Sequence, residues 1–459
     1  MGKRVTVLSG VLFLLVAPHA ARAVPSFARQ TGLNCTTCHT AFPQLTPFGR
    51  QFKLKGYTES DGKSHLPPLA VMLQAPTFTH TAMGQPGGAA TDYARNDNFA
   101  LNEMGLFYAG RLFGPYAEDL FGEQVGDLLN HVGTFIQGTW DGVAFEWAWD
   151  NSEVRIASTT TIGDSPLVYG VYTNNNPTME DLWNTTPAWG FPFSGSGLAP
   201  EAMAAPLIAG GLEQQVMGAG AYAAYTTPCG QLYGTAAGYT TLPSGTQRAL
   251  GVDPEGQAEI DGGAPYWRLA WSRDSGPHSF EVGTYGLHAN TWPGRMKSAG
   301  TDDITDVGFD GQYQYLAGTN QVTVLLNFIH EWEQWDASQA LGMASHNSDH
   351  LWTVTATTSY LYDETYGGDI QYFHTGGNQD AMLYGTRTGS PETSGWIFQV
   401  DYLPFNKSGG PEFWPKSNVK FSLQYVHYQE FDGATSNYDG TGRDASDNDT
   451  LYIQAWLAF

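Results

Sequence analysis

The feature that most constrains the fold is a series of strand-like segments that begins near residue 66 and continues to the end of the chain. Apolar and polar residues alternate clearly in residues 352–360 and in residues 451–459, as expected of half-buried strands. Most segments are long enough to cross an outer membrane, which takes roughly 9–11 tilted residues. The sixteen predicted strands span residues 69–80, 99–111, 130–140, 143–158, 166–175, 212–226, 230–241, 265–273, 279–292, 303–316, 320–335, 351–362, 365–375, 392–404, 419–431 and 449–459. An all-β fold follows from this pattern.

Composition favours a transmembrane barrel over a soluble β-sandwich, which is the competing all-β fold. Charged residues make up only 14% of the chain, against roughly 25% in soluble domains. Aromatic residues make up another 14%, and there are 55 glycines. A mean hydropathy of −0.29 and the lack of a second long apolar run exclude a helical membrane protein. We therefore predict an antiparallel transmembrane barrel of about 16 strands with both ends on the periplasmic side. The terminal Phe459 looks like the assembly signal of bacterial outer-membrane barrels.

The first residues of the chain have the pattern of a secretory signal peptide. Lys3 and Arg4 precede an apolar run over residues 5–16, and Ala21-Arg22-Ala23 fits a cleavage site. The alternative is an anchor helix, but the apolar run is too short to span a bilayer comfortably. We expect residues 1–23 to be removed and the mature protein to begin at Val24 after export.

Three cysteines are too few for a secreted disulfide scaffold, but two of them form a motif with its own chemistry. Cys35, Cys38 and His39 make up the pattern C-x-x-C-H, which is typical of covalent haem c attachment. Each thiol adds to one haem vinyl group, and the histidine supplies the proximal iron ligand. The alternatives are a Cys35–Cys38 disulfide or half of a zinc site, which needs two further ligands. The motif occurs once, so we predict one haem c, and Cys229 is interpreted as a turn thiol.

Residues 24–65 are predicted to form a small helical c-type cytochrome domain, and residues 66–459 to form the barrel. Thr46 suits a helix cap, Pro47 the first helical position and Gly56 the left-handed residue at the end. So short a domain has little core of its own. The side chains expected to form an apolar wall over the haem are Phe42, Leu45, Phe48 and Phe52. Cations at a helix end are favourable even when they are solvated. The candidates for neutralising the haem propionates are Arg50, Lys53 and Lys55.

The second axial ligand of the haem iron is expected to come from residues close to the helical domain. Met72 is favoured because it follows the domain closely. A methionine ligand also raises the potential of the haem, which suits an electron donor of high potential. The alternatives are an ordinary strand residue at that position, another ligand or an open position. The four candidates are His65, Met72, His80 and Met83.

The charge is divided unevenly between the two parts of the chain. The whole chain has a net charge of −24, which excludes a nucleic-acid binder that depends on phosphate contacts. Residues 24–63 hold five basic and two acidic residues, a balance of +3, whereas residues 64–459 hold 13 basic and 43 acidic residues, a balance of −30. Acidic loops concentrate cations at a pore mouth; the alternative is that they bind divalent ions that bridge lipopolysaccharide.

Some barrel segments carry features beyond the strand pattern. The long interruptions at residues 112–129 and 176–211 are predicted to be extracellular or lumen-folded loops. His346 and His350 have a spacing seen in metal sites, and Glu331 and Glu333 share one strand face. Solvated loop or lumen polar groups are the commoner explanation of both patterns.

The N-terminal region also resembles a known family. Three stretches carry the resemblance: residues 25–32 (PSFARQTG), 35–39 (CTTCH) and 42–57 (FPQLTPFGRQFKLKGY). They are similar to the fused monohaem cytochrome c–porin family of the outer membrane, whose best-known members oxidise ferrous iron outside the cell. The resemblance implies that Cys35 and Cys38 bind the haem and that His39 is its proximal ligand. Over the barrel it is looser and rests on length, strand number and the C-terminus.

These observations predict a bacterial outer-membrane protein whose haem domain lies in the barrel lumen or on the periplasmic side. The resemblance implies that it passes electrons from extracellular Fe(II) or another reductant to a periplasmic cytochrome or other carrier. Such outer-sphere chemistry needs no catalytic acid or base, and the expected activity would be that of an Fe(II):cytochrome c oxidoreductase. The alternatives are a diffusion porin with a redox-active haem plug, a conduit for a donor other than iron, and ligand binding at an open haem position.

Overall fold

The computed structural model describes residues 24–190, 192–255, 257–414 and 416–459. The predicted signal peptide, residues 1–23, lies outside the described residues. No helix in the described ranges is long and apolar enough to cross a membrane.

Sixteen long strands form one closed antiparallel barrel. Each strand pairs with the next along the chain, and the first pairs with the last, from Met72 opposite Ala458 to Thr81 opposite Thr450. The strands are β1 Leu69–Thr81, β2 Glu103–Arg111, β3 Val132–Asp141, β4 Glu146–Ile162, β5 Ser165–Asn174, β6 Val216–Thr227, β7 Gly230–Thr241, β8 Ala264–Ser275, β9 His278–Trp292, β10 Asp302–Ala317, β11 Asn320–Gln334, β12 Ser348–Tyr362, β13 Tyr366–Gly377, β14 Thr393–Tyr402, β15 Asn418–Glu430 and β16 Thr450–Ala458. Two short strands, Asn98–Ala100 and Glu259–Ile260, extend the sheet locally. The predicted sixteen-strand barrel is confirmed. The sequence predicts the strands because successive side chains of a strand point to opposite faces of the sheet.

The strands turn apolar side chains outward and polar side chains into the lumen. In β8, Trp267, Leu269 and Trp271 are exposed on the outside, whereas Tyr266 and Arg268 are buried inside. Further exposed apolar residues on barrel strands are Leu106, Ile136, Ile156, Val171, Leu232, Val282, Phe309, Leu326, Phe398, Val400, Leu423 and Ile453. An outward apolar band over a polar interior is the arrangement of transmembrane barrels.

The two ends of the barrel differ in the length of their connections. At one end, which we call the turn end, most strands are joined by tight turns such as residues 163–164, 228–229 and 318–319, and the last strand ends there. At the other, the loop end, the connections include residues 82–102 and 175–215. Cys229 lies in one of the tight turns, as expected.

The N-terminal residues form three short helices, which we call the plug (residues 24–57). The helices are α1 Pro25–Thr31, α2 Cys35–Cys38 and α3 Pro47–Leu54. Helix α3 begins as its sequence predicts, because the Thr46 hydroxyl accepts a hydrogen bond from the Gly49 N–H at 3.2 Å. It is followed by Gly56 at a φ of 73°, which a residue with a side chain rarely adopts.

The plug lies inside the lumen, toward the turn end. Arg50 donates hydrogen bonds to Gln312 and Gln314 of β10 at 2.8 and 2.6 Å, and to the Ser279 hydroxyl of β9 at 2.6 Å. On another side of the barrel, the Tyr222 hydroxyl of β6 donates to the Leu54 carbonyl at 2.7 Å. Polar side chains of the wall therefore hold helix α3 from several strands.

A second segment enters the lumen from the loop end. Residues 175–190, which we call the inserted segment, leave strand β5 and pack within the barrel, where Asp181 accepts from Arg268 of the wall at 3.1 Å. Lys53 of the plug donates to the carbonyls of Met179 and Asp181 at 2.7 and 2.6 Å. The plug and the inserted segment thus meet inside the barrel, and the lumen-folded prediction for residues 176–211 is confirmed for residues 176–190.

The other long interruption differs from its prediction. Residues 112–129 contain helices Ala117–Phe121 and Glu123–Leu129 at the turn end and do not fold into the lumen. The reason is strand direction, because β2 ends and β3 begins at the turn end and their connection must lie there. The remaining α-helices in the described ranges are Ser244–Ala249, Asp336–Leu341 and Ala381–Tyr384.

Candidate cofactor cavity

The plug, the barrel wall and the inserted segment enclose a cavity of about 300 Å³. The plug lines it with Val24, Phe27, Ala28, Thr31, Leu33, Asn34, Cys35, Cys38, His39, Pro43, Leu45, Gly49, Phe52, Lys53 and Tyr57. The wall contributes Met72, Gln74, Glu103, Phe107, Phe135, Gln137, Asp150, Asn151 and Trp456, and the connection before β6 contributes Glu213. The inserted segment adds Asn184, Ala188 and Trp189. The cavity therefore has an apolar body, as small-molecule and cofactor sites usually do.

The C-x-x-C-H motif faces this cavity. Cys35 and Cys38 are the first and last residues of helix α2, and the His39 N–H donates to the Cys35 carbonyl at 2.9 Å. The His39 Nδ1 lies 3.0 Å from the Pro43 carbonyl oxygen. Because a carbonyl only accepts hydrogen bonds, Nδ1 carries the proton and Nε2 keeps its lone pair. This donor set fits haem c: two thiols and a metal-binding imidazole nitrogen at one apolar cavity.

The two alternatives for the cysteines receive no support from the geometry. Cys35 and Cys38 are not joined by a disulfide. A zinc site is not supported either. Among the described residues, the side chains close enough together to hold a metal ion do not include Cys35, Cys38 or His39. Burial lowers the pKa of His39 below its ordinary value, so the imidazole is neutral near pH 7.

Gly49 is required where helix α3 crosses the motif. A Cβ atom at this position would lie 2.3 Å from the Cys38 carbonyl oxygen and 3.1 Å from a Leu45 methyl group. Because the first of these atoms belongs to the backbone, a side chain here forces the helix away from the motif.

We expect Gly49→Ala to destabilise the plug by about 1–3 kcal/mol, the usual cost of overpacking, and to lower the fraction of protein that attaches haem. The measurement is the ratio of haem absorbance to protein in membranes from cells that express each variant. Gly245→Ala is the matched control, because Gly245 is exposed, no atom lies within 4 Å of a Cβ there, and its backbone is outside the left-handed region. Equal haem loading in both variants would contradict the crowding argument.

Only one of the four candidates for the second axial ligand faces the cavity. Met72 lines it together with His39. His65 is exposed on the segment before β1, the His80 imidazole lies 2.7 Å from Asp97, and Met83 is exposed beyond the end of β1. Met72 occupies an inward position of β1, at which its side chain points into the lumen.

The predicted apolar wall is only partly formed by the predicted residues. Leu45 and Phe52 line the cavity, and the ring of Phe52 packs edge-on against Phe27 with centroids 5.1 Å apart. Phe42 is buried instead against Trp456, with ring centroids 5.4 Å apart. Phe48 is 40% exposed and does not line the cavity; it lies near the start of helix α3, one turn before Phe52.

The predicted cations have partners other than a cofactor carboxylate. Arg50 does not line the cavity and donates its hydrogen bonds to β9 and β10, so its role as a propionate partner stays a prediction. Lys55 pairs with Glu59 at 2.6 Å. Lys53 lines the cavity, lies 4.2 Å above the Trp189 ring and donates to two carbonyls of the inserted segment. Burial lowers the pKa of Lys53 to about 8.

The margin of the cavity toward the loop end is acidic. Glu103 begins β2, Asp150 lies near the start of β4 and Glu213 precedes β6, and all three line the cavity. Burial, and secondarily the charge of Asp150, raises the pKa of Glu213 to about 7. We call these three residues the acidic margin. Their carboxylates attract cations when the carboxylates are ionised.

Sequence reasoning missed the wall residues of the cavity. Phe107, Phe135 and Trp456 come from three different strands, β2, β3 and β16, so no local motif connects them. The available signal is the alternation along each strand, in which every second residue points into the lumen. This alternation identifies many inward-facing residues, but it does not distinguish those that line this cavity.

Comparisons with known proteins gave matches among solved structures. No protein-family model matches this chain, and no curated protein matches it. Solved structures similar to it include an anion-selective porin from Comamonas acidovorans (12% identity, TM-score 0.43, covering 85% of this chain and 98% of that one). Others are the outer-membrane channel DcaP of Acinetobacter baumannii (11% identity, TM-score 0.44, 85% and 96%) and OmpT of Vibrio cholerae (10% identity, TM-score 0.40, 85% and 96%). At these similarities the function is argued from the residues of this chain.

Proposed function

We propose that this chain is an outer-membrane electron-transfer protein that carries one haem c, attached at Cys35 and Cys38, inside its barrel. It passes single electrons from an external reductant, with Fe(II) as the expected donor, to a periplasmic carrier. Haem c supplies one-electron redox chemistry at a potential that its axial ligands set. The observation that carries the proposal is that Cys35, Cys38 and His39 all line one largely apolar cavity in the lumen.

The two ends of the barrel support an orientation in the membrane. Outer-membrane barrels have short periplasmic turns and longer extracellular loops. The turn end, which also holds the plug, would then face the periplasm, and the loop end would face the outside. The cavity lies between the two ends, with its acidic margin toward the loop end. This orientation brings an external cation toward the acidic margin and a periplasmic carrier toward the plug.

The residues of the plug have separable roles in this function. His39 offers Nε2 as a metal ligand because Pro43 fixes the proton on Nδ1. Arg50 anchors helix α3 to the wall, and Lys53 ties the same helix to the inserted segment. Together the plug and the inserted segment fill lumen space that would otherwise admit solutes, so that electrons cross without free diffusion through the barrel.

The decisive experiment is anaerobic stopped-flow mixing of the purified, haem-loaded protein with Fe(II), observed in the haem absorption bands. We expect fast reduction that saturates with Fe(II) concentration. Absence of reduction by Fe(II), with ready reduction by dithionite, would rule out iron as the donor and leave electron transfer from another reductant. A purified protein without any haem would overturn the proposal as a whole.

Met72 is expected to be the second axial ligand, because of the four sequence candidates it alone lines the cavity. Replacing Met72 with alanine should lower the haem potential, since a methionine ligand raises it. Axial ligands set haem potentials over a range of roughly 0.8 V, so the shift should be large enough to measure by spectroelectrochemical titration. Met83→Ala is the matched control, because Met83 is exposed away from the cavity. An unchanged potential in Met72→Ala would exclude this ligand.

A diffusion porin is the second candidate, and the size of the barrel favours it. A closed barrel of sixteen strands is wide enough for an aqueous channel when its lumen is open. Here the plug and the inserted segment occupy the lumen. We therefore expect the whole protein to conduct far less current in planar bilayers than an open channel of the same strand number. Conductance equal to that of an open porin would favour solute diffusion as the function.

A further inference from the structure

A cluster of three ligand-type side chains lies at the loop end, away from the cofactor cavity. The His346 Nδ1 is 3.5 Å from the Asp349 Oδ1 and 3.8 Å from the Asp380 Oδ2. One possible ligand atom from each residue lies within 4.8 Å of the other two. His346 and Asp349 flank the start of β12, and Asp380 lies in the connection after β13, so the cluster bridges two separate connections.

Asp380 is held rigidly in the cluster. Its Oδ2 accepts the backbone N–H groups of Ser345 and His346 at 2.6 and 3.0 Å. Its Oδ1 accepts those of Met382 and Leu383, both at 2.9 Å. The side chain is only 1% exposed. This carboxylate is therefore fixed toward the His346 side chain before any ligand arrives.

Asp349 supplies a second and independent observation. It is 5% exposed, and its Oδ2 is buried without a hydrogen-bond partner among the described residues. Glu333 of β11 lies directly opposite Asp349 in the strand register, is 6% exposed and has an equally unpartnered Oε2. A buried polar atom without a partner is costly, and like charges directly opposite in a sheet destabilise it. A bound cation would remove both costs.

We propose that His346, Asp349 and Asp380 bind a first-row divalent metal ion, with Glu333 contributing negative charge beside them. One imidazole and two carboxylates form a mixed nitrogen and oxygen ligand set, which suits metals such as Mn(II), Fe(II) and Zn(II). The metal links the connection before β12 to the connection after β13. None of the three ligands lines the cofactor cavity, so the proposed metal site and the proposed haem site are independent of each other.

The test uses the purified full-length, haem-loaded protein and Mn(II) as the probe. Electron paramagnetic resonance of free Mn(II) measures how much metal the protein removes from solution. We expect one saturable site. Asp349→Asn and His346→Gln should each weaken Mn(II) binding by at least about tenfold, because even the removal of supporting groups around a metal costs 10–100-fold. His350→Gln is the matched control, since His350 is exposed and stacks on His330 outside the cluster.

Three results are informative. A single site that is lost in His346→Gln and kept in His350→Gln supports the proposal. Absence of Mn(II) binding, or binding that Asp349→Asn leaves unchanged, overturns it and leaves water as the partner of the buried oxygens. Heat-modified electrophoretic mobility shows whether each variant has folded as a barrel. If Asp349→Asn fails to fold, His346→Gln at its more exposed position decides the question.

Discussion

Replacement of Cys35 and Cys38 by serine is expected to abolish covalent haem completely. Both thiols line the lumen cavity, and covalent attachment at C-x-x-C-H uses one thiol for each vinyl group. The measurement is haem staining of the protein after denaturing electrophoresis, where only covalently attached haem remains on the chain. In the proposed function, the same variant also loses reduction by Fe(II).

Cys229→Ser is the matched control for this experiment, because Cys229 is exposed in a tight turn far from the cavity. It should stain like the unmodified protein. Heat-modified mobility should show that all variants still form a barrel, since the wall pairs with itself in a closed ring. Persistent staining in the double serine variant would mean that the motif does not attach haem.

The second large effect is expected at Arg268, the centre of a buried charge cluster in the lumen. Its guanidinium contacts Asp310 at 3.0 and 2.7 Å, Asp181 at 3.1 Å and Glu281 at 3.3 Å, and all four side chains have no exposed surface. Arg268→Met should destabilise the protein by about 3–5 kcal/mol, because it leaves buried carboxylates without their cation. Since Asp181 belongs to the inserted segment, we expect that segment to loosen first.

The measurement is the temperature at which the barrel loses its resistance to denaturing detergent, together with protease sensitivity of the inserted segment. Arg273→Met is the matched control, because Arg273 lies on the same strand but is exposed. A change of similar size in both variants would show that the loss reflects the strand and not the buried cluster. Suppression of the defect by a second change, Asp181→Asn, would identify the inserted segment as the affected part.

The strands and the motif could be predicted because their signals are local. All sixteen predicted strands match barrel strands, with ends that agree to within four residues, since alternation repeats every two residues along each strand. Helix α3 begins after Thr46 because capping depends on neighbours three residues apart. The spacing of Cys35, Cys38 and His39 is likewise a property of five consecutive residues.

The positions of individual side chains around the plug could not be predicted in the same way. Arg50 and Lys53 are three residues apart on one helix, yet Arg50 bonds to wall residues more than 220 positions away and Lys53 bonds to the inserted segment. Phe48 and Phe52 differ in burial for the same reason. The environment of a helix face is set by whatever packs against it, and here that is a barrel wall built from distant strands.

The sequence by itself determined the barrel, its strand number, helix α3 and the cysteine–histidine motif, because each is encoded in the order of neighbouring residues. Only the tertiary structure decided that the plug lies in the lumen and that the inserted segment meets it at Lys53. It also placed Met72, alone among the four ligand candidates, at the cavity, and it brought His346, Asp349 and Asp380 together. These outcomes depend on contacts between residues that are distant in the chain. Such residues come to face one another only when the barrel closes.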